Sequence, residues 1–186
     1  PSLEELCAGK KDIVIISSDH TRPVPSRVTM PILLHHIHSA APEARVRILV
    51  ATGMHRPSTH EELVNKYGEE IVANEEIVMH VATDDSMMEK IGTLPSGGEC
   101  IINKIAADCD LLLAEGFIEP HFFAGFFVSC KSVLPGIASY KTIMYNHNGQ
   151  FVNDSHSRAG NLCHNHVSED MFAAAEMAHL AFVLNV

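Results

Sequence analysis

The chain has 186 residues, of which 46% are hydrophobic and 19% charged, the balance of a globular domain able to bury a sizeable core. Thirteen Lys and Arg against 23 Asp and Glu give a formal net charge of −10 at pH 7, which argues against a nucleic-acid or anionic-membrane surface as partner. No apolar run reaches the ~18 residues that span a bilayer and no basic-then-apolar leader is visible. Five cysteines in no zinc-ribbon spacing read as free thiols, so a cytoplasmic protein is expected.

The run Asp12–Ser18 suits a strand buried on both faces, and it ends in Asp19-His-Thr-Arg-Pro23. A helix is expected from near Thr29, with Pro31 in its first turn, to about Ala40. Val46–Ala51 is the next strand and ends in Thr52-Gly-Met-His-Arg-Pro57. Thr59 reads as an N-cap with Glu61 and Glu62 in the first turn of a helix that runs to about Tyr67 and stops at Gly68. Glu76–Ala82 is a third strand, Cys100–Lys104 an edge strand, and Leu111–Ala114 a further buried strand. Ser139–Asn146 and Ser168–Ala178 read as helices, and Leu180–Val186 as a last strand.

Strands alternating with helices imply an α/β fold, a mostly parallel, Rossmann-like sheet with helices on both faces. The chain opens at Pro1 and stops in what reads as an unfinished strand, so residues 1–186 are expected to be one domain truncated at both ends. Ligands bind beyond the carboxyl ends of strands in open α/β sheets. Three loops rich in chemistry, Asp19–Pro23, Thr52–Pro57 and Glu115–Lys131, each follow a predicted strand and should meet there.

Arg22 offers a fork of donors suited to a carboxylate or phosphate, and Asp19 a polar contact; an ordinary turn with a solvated Arg is the alternative. His55 is a base in the second loop, or else a surface histidine. His121, after Pro120 and beside Phe122 and Phe123, has apolar neighbours that favour the neutral imidazole of a general base. Two imidazoles on separate loops can reach a substrate carbon from opposite sides, as a racemase requires. Lys131 sits alone in an apolar run, either desolvated and nucleophilic or lying along the surface. His147 is a possible lone metal ligand. Cys163-His-Asn-His166 and His35-His-Ile-His38 look like metal sites but lack convincing ligand geometry.

Together these segments resemble the nickel-dependent lactate racemase family. The likeness rests on DHTRP at 19–23, ATGMHRP at 51–57, EPHFFAGF at 119–126, KSVLPGI at 131–137 and His147 in YNH, and runs more loosely through SRAGNL at 157–162. It implies the N-terminal, cofactor-carrying domain of a two-domain protein, with the C-terminal domain absent here and the active site between the two. It implies a nickel-pincer nucleotide, a pyridinium bisthiocarboxylic acid mononucleotide holding Ni(II), covalently attached at Lys131 and loaded by cofactor-synthesis enzymes. His147 would complete the nickel's coordination, sensible beside two sulfurs and a carbon for square-planar nickel.

His55 and His121 would be the acid–base pair. One takes the hydroxyl proton of a small 2-hydroxy acid as the C2 hydride moves to the cofactor, and the other serves the opposite enantiomer. Arg22 would anchor the substrate carboxylate, and Asp19 would contact cofactor or active site. One stretch departs from the family pattern. A glycine-rich Ser-Gly-Gly-X-Lys loop is usual before the lysine, whereas this chain has Phe127-Val-Ser-Cys-Lys131, and Val128 tolerates positive φ poorly. That departure motivates an alternative, a non-catalytic nucleotide- or metal-binding relative. A zinc-dependent hydrolase built on the His-rich loops fits less well.

Overall fold

The computed structural model describes residues 1–127 and 130–186. A short helix α1 (Leu3–Cys7), closed by a Ser2–Glu5 capping box, precedes strand β1 (Asp12–Ser18). Helix α2 (Ser26–Ala40) leads to β2 (Arg45–Ala51), then α3 (His60–Tyr67), α4 (Glu69–Asn74) and β3 (Glu76–Met79). A hairpin of β4 (Met88–Thr93) and β5 (Glu99–Asn103) follows, then α5 (Lys104–Ala107) and β6 (Leu111–Gly116). A ribbon of β7 (Glu119–His121) and β8 (Gly125–Phe127) precedes α6 (Cys130–Val133), α7 (Tyr140–Asn146), α8 (Gly149–Val152), α9 (His166–Met177) and β9 (Leu180–Asn185). Among the described residues, no helix is long and apolar enough to cross a membrane.

The central sheet has five strands in the order β3-β2-β1-β6-β9, every pair parallel. The strand runs alternate between two cores because successive side chains point to opposite faces. Ile13, Ile15, Ile48, Val50 and Leu113 pack with Cys7, Met30, Leu33, Ile37 and Tyr67 of α1, α2 and α3. Val14, Ile16, Leu49, Leu112 and Ala114 pack on the other side with Ile102, Val133, Ile143 and Met171. The chain therefore forms the expected mostly parallel α/β sheet with helices on both faces.

From β1 the chain winds first to one side, through β2 and β3, and then to the other, through β6 and β9. The carboxyl ends of β1 and β6 consequently diverge, and a crevice opens between them. Glu115 stands at this divide, 2% exposed. Its carboxylate accepts hydrogen bonds from Ser17 of β1 (2.7 Å), from Thr29 of α2 (2.7 Å) and from the Ser26 hydroxyl. Tyr67 of α3 donates in turn to the Ser17 hydroxyl at 2.8 Å.

Several boundaries differ from the sequence expectation. Helix α2 begins at Ser26 rather than Thr29, which moves Pro31 inside the helix; the hold of Glu115 on Ser26 and Thr29 sets the start over local propensity. Strand β3 stops at Met79 rather than Ala82, because His80 turns inward and bonds the Ala138 carbonyl (2.9 Å) and Asn103 (3.2 Å). The expected edge strand at 100–104 is β5, and it pairs antiparallel with β4 in a separate ribbon rather than joining the main sheet. Strand β4 was hidden by a weakly patterned sequence and a register shift between Lys90 and Gly92.

Replacing Glu115 by Ala leaves three buried hydroxyls on two elements without this acceptor. Urea unfolding should show a loss of at least ~2 kcal/mol. A change within ~0.5 kcal/mol would mean that the hydroxyls find other partners.

Candidate active site

The three loops meet over the crevice. They enclose a cavity of about 360 Å³ whose lining includes Asp19, Arg22, His55, His121, Lys131 and His147. All six residues singled out in the sequence thus share one chamber, at the carboxyl ends of β1, β2 and β6.

Asp19 follows β1 directly and is buried. Its Oδ1 accepts from the Thr21 backbone N–H (3.0 Å) and hydroxyl (2.6 Å), and its Oδ2 pairs with His55 Nδ1 at 2.6 Å. Burial pushes the Asp19 carboxyl up, but the donors of Thr21 and His55 outweigh it and hold the group below its ordinary value. An ionised carboxylate only accepts, so His55 Nδ1 must carry a proton, and in the neutral ring Nε2 keeps its lone pair. The His55 side chain is 44% exposed and opens towards the cavity mouth.

His121 ends β7, the first strand of a ribbon in which it faces Gly125 across a tight turn. Gly125 has φ +76°, and a Cβ there would collide with the Asn161 carbonyl, so glycine permits the turn that presents Phe122 and Phe123. His121 Nδ1 accepts the Ala124 N–H at 3.2 Å, which leaves the neutral ring's proton on Nε2. The two imidazoles are therefore held in opposite tautomers. Burial, then Lys131, His147 and Arg22, push His121 down to about 4.

Phe123 joins the parts. Its ring stands edge-on to His121 (centroids 4.6 Å apart) and to His147 (5.3 Å), and lies 5.8 Å from Lys131 Nζ. Asn165 fixes the turn by donating to the Phe123 carbonyl at 2.9 Å. Lys131 lies in α6, buried against the cavity wall. Burial first, and Arg22 second, bring its ammonium down to about 8. The turn after α6 is tied to the β2 loop by the Gly53 N–H, which donates to the Gly136 carbonyl at 2.9 Å.

His147 is the C-cap of α7. Burial pushes it down to about 4, which keeps the imidazole neutral and able to ligate a metal. Its Nδ1 is buried and has no hydrogen-bond partner among the described residues. An unmatched buried nitrogen beside a cavity is what a ligand position looks like before the ligand is bound.

The other histidine-rich segments lie elsewhere. His36 pairs with Glu4 at 2.6 Å and His38 with Glu75 at 3.0 Å on the outer face of α2, while Cys163 is exposed. His156 and His164 have ring centroids 5.7 Å apart, and His166 sits near Glu169 at 3.7 Å. Among the described residues, no three His, Cys, Asp or Glu are grouped to hold a metal. The departure at Phe127–Cys130 falls partly outside the described residues, since Val128 and Ser129 are not among them. Thr21, Phe123 and Glu115 were not assigned roles from the sequence. The aromatic density of the third loop was the one available signal for Phe123.

Fold and site define a Rossmann-like α/β domain with three histidines, a carboxylate, a guanidinium and a buried amine gathered at its switch-point crevice. The chain belongs to the lactate racemase N-terminal domain family, whose model matches residues 1–160. It is 71% identical over 184 residues to a lactate racemase of Lactiplantibacillus plantarum, covering 99% of this chain and 43% of that protein. It is 54% identical over 184 residues to a lactate racemase of Thermoanaerobacterium thermosaccharolyticum, again covering 99% of this chain and 43% of the relative. The chain thus spans less than half the length of these curated relatives. The lactate racemase apoprotein structure from T. thermosaccharolyticum superposes with a TM-score of 0.98 over 100% of this chain and 45% of that one, at 54% identity. A Thermotoga maritima protein shares the fold, with a TM-score of 0.80 at 22% identity over 98% of this chain and 49% of that one.

His80, His121 and His147 each titrate near 4 in the folded chain because burial penalises the imidazolium. The unfolded chain takes up those protons near 6.5, so stability is full above that pH and falls as pH drops towards 4. Urea unfolding of cofactor-free protein should lose about 1 kcal/mol per pH unit for each histidine across this window. Replacing His80 by Asn should reduce the slope by roughly a third.

Proposed function

We propose that this chain is the cofactor-carrying half of a racemase for lactate or a closely related 2-hydroxy acid. The observation that carries the reading is the convergence of two oppositely protonated imidazoles, a desolvated lysine and an unmatched histidine on one cavity. The names of the relatives supply the substrate class.

A nickel-pincer nucleotide fits the residues present. Lys131 would tether it, since an amine brought down to about 8 keeps a far larger neutral minority near physiological pH than an ordinary lysine and can form the covalent link. His147, neutral and with an unmatched buried nitrogen, would hold the nickel. When bound, the group supplies a site that accepts the C2 hydride and returns it to either face of the planar 2-oxo acid.

The chain's own residues manage the substrate's charge and protons. Arg22 holds the carboxylate. His55, with Nε2 unprotonated, accepts the hydroxyl proton of one enantiomer, while Asp19 stabilises the imidazolium that forms. His121, with its proton on Nε2, donates a hydrogen bond to the developing carbonyl oxygen on the opposite side. For the other enantiomer His121 takes the base's role, which requires its proton to leave Nε2 and the hydrogen bond from the Ala124 N–H to be given up. Phe122 and Phe123 exclude water from the reacting centre. A C-terminal domain would close the cavity from above, and cofactor-synthesis enzymes in the cytoplasm would load Lys131.

Protein made together with cofactor-synthesis enzymes should show, by intact mass and metal analysis, an adduct on Lys131 and roughly one nickel per chain. Both should vanish in Lys131→Ala. A well-folded protein with no adduct would leave the non-catalytic alternative in its place. Asp19→Asn should lower kcat about 10²–10⁴-fold with little change in KM, because His55 loses the partner that sets its tautomer. An equal loss through KM alone would make Asp19 a binding residue instead.

A further inference from the structure

Lys131 has a second chemistry open to it, which does not need nickel. The residue is buried on a cavity wall made largely of Phe117, Phe122, Phe123, Pro135 and Ile143, and Arg22 lines the same chamber. Desolvation and a neighbouring cation are the two devices that prepare a lysine to attack a carbonyl, and this lysine has both. Outside this cavity, Lys66 is also held below its ordinary value by burial and donates to the Ser18 hydroxyl at 3.1 Å, whereas other lysines are solvent-facing. Lys90 and Lys141 are 52% and 72% exposed and are ion-paired with Glu99. A cavity of about 360 Å³ holds a small organic acid with room to spare.

We propose that Lys131, in protein that carries no cofactor, forms a reversible imine with a short 2-oxo acid whose carboxylate is held by Arg22. The Nζ lone pair attacks the C2 carbonyl carbon, the C=O π bond opens, and a carbinolamine forms. The carbon–oxygen bond then breaks and a carbon–nitrogen double bond forms. The two amine protons leave with the oxygen as one water, and nothing is oxidised or reduced. His55, with Nε2 unprotonated, is the base on the cavity wall placed to carry a proton from nitrogen to the departing hydroxyl.

The imine itself rests on the cavity, the amine, Arg22 and His55; its consequence rests in addition on the proposed cofactor link to Lys131. Its consequence is regulatory. A 2-oxo acid, the oxidised counterpart of the proposed substrate, would compete with the cofactor for Lys131, so loading would slow as the oxo acid accumulates.

The test takes full-length protein made without cofactor-synthesis enzymes, pyruvate as probe, and cyanoborohydride to reduce any imine to a stable secondary amine. Peptide mass spectrometry should place the adduct on Lys131 at a rate roughly tenfold or more above that at Lys66, Lys90 or Lys141. Arg22→Gln should slow trapping of both probes, because the lysine loses a neighbouring cation, but slow pyruvate roughly tenfold more than acetone, which has no carboxylate to lose its partner. Labelling that follows surface exposure, or an equal loss for both probes in Arg22→Gln, overturns the proposal. The wild-type pattern decides even if a variant folds poorly. Cofactor attachment is read on a separate preparation, so failure of either test leaves the other standing.

Discussion

Much of this structure depends on one buried carboxylate. Glu115 sits where the sheet changes winding direction, and its oxygens take hydroxyl donors from β1 and α2. Those bonds close the base of the crevice and leave its rim open. A charge so placed is costly unless every oxygen is satisfied, and here the partners come from separate elements rather than from one neighbouring turn. Tyr67 extends the network to α3, the helix that follows the His55 loop. The floor of the cavity is thus a hydrogen-bonded joint between the elements that carry the chemistry.

Above that floor, parallel strands do the positioning. Strands β1, β2 and β6 all end at the same edge, so loops far apart in sequence meet without any long-range motif. The electrostatics then follow from who touches whom. Asp19 fixes a proton on the inner nitrogen of His55, and the Ala124 N–H fixes a lone pair on the inner nitrogen of His121. Under the proposed racemase reading, the resting protonation provides a base on one side and a donor on the other, which serves one enantiomer as it stands. Placing one Phe123 ring against both His121 and His147 gives each imidazole an apolar neighbour, beside which a charge is felt more strongly than in water.

What was legible in the sequence follows physical lines. Runs such as Ile13–Ile16 and Leu111–Ala114 announce strands because both faces are buried and every residue must be apolar. Thr59 marks a helix start because a cap is a local hydrogen bond, whereas the helix expected from Ser168 begins at His166 with Asn165 as its cap. The ribbon of β7 and β8 was not legible: its strands have three residues each, and its turn is held by Asn165 from α9. The six site residues could be placed together from the sequence, five of them from strand ends and His147 only through the family resemblance. Their protonation could not, since the Asp19–His55 pair joins residues 36 apart and the His121 acceptor role is a backbone contact. The start of α2 was misplaced for the same reason, being set by Glu115 from a distant strand.

The central claim is that His55 and His121 handle the hydroxyl proton while hydrogen at C2 moves as hydride and never reaches solvent. Two facing imidazoles equally suit a different chemistry, in which each removes a proton from C2 itself. Lactate deuterated at C2 separates the two. Racemisation by cofactor-loaded, full-length protein in ordinary water should return both enantiomers with the deuterium retained. Racemised product that has lost its deuterium to solvent would contradict the account and make the histidines carbon bases.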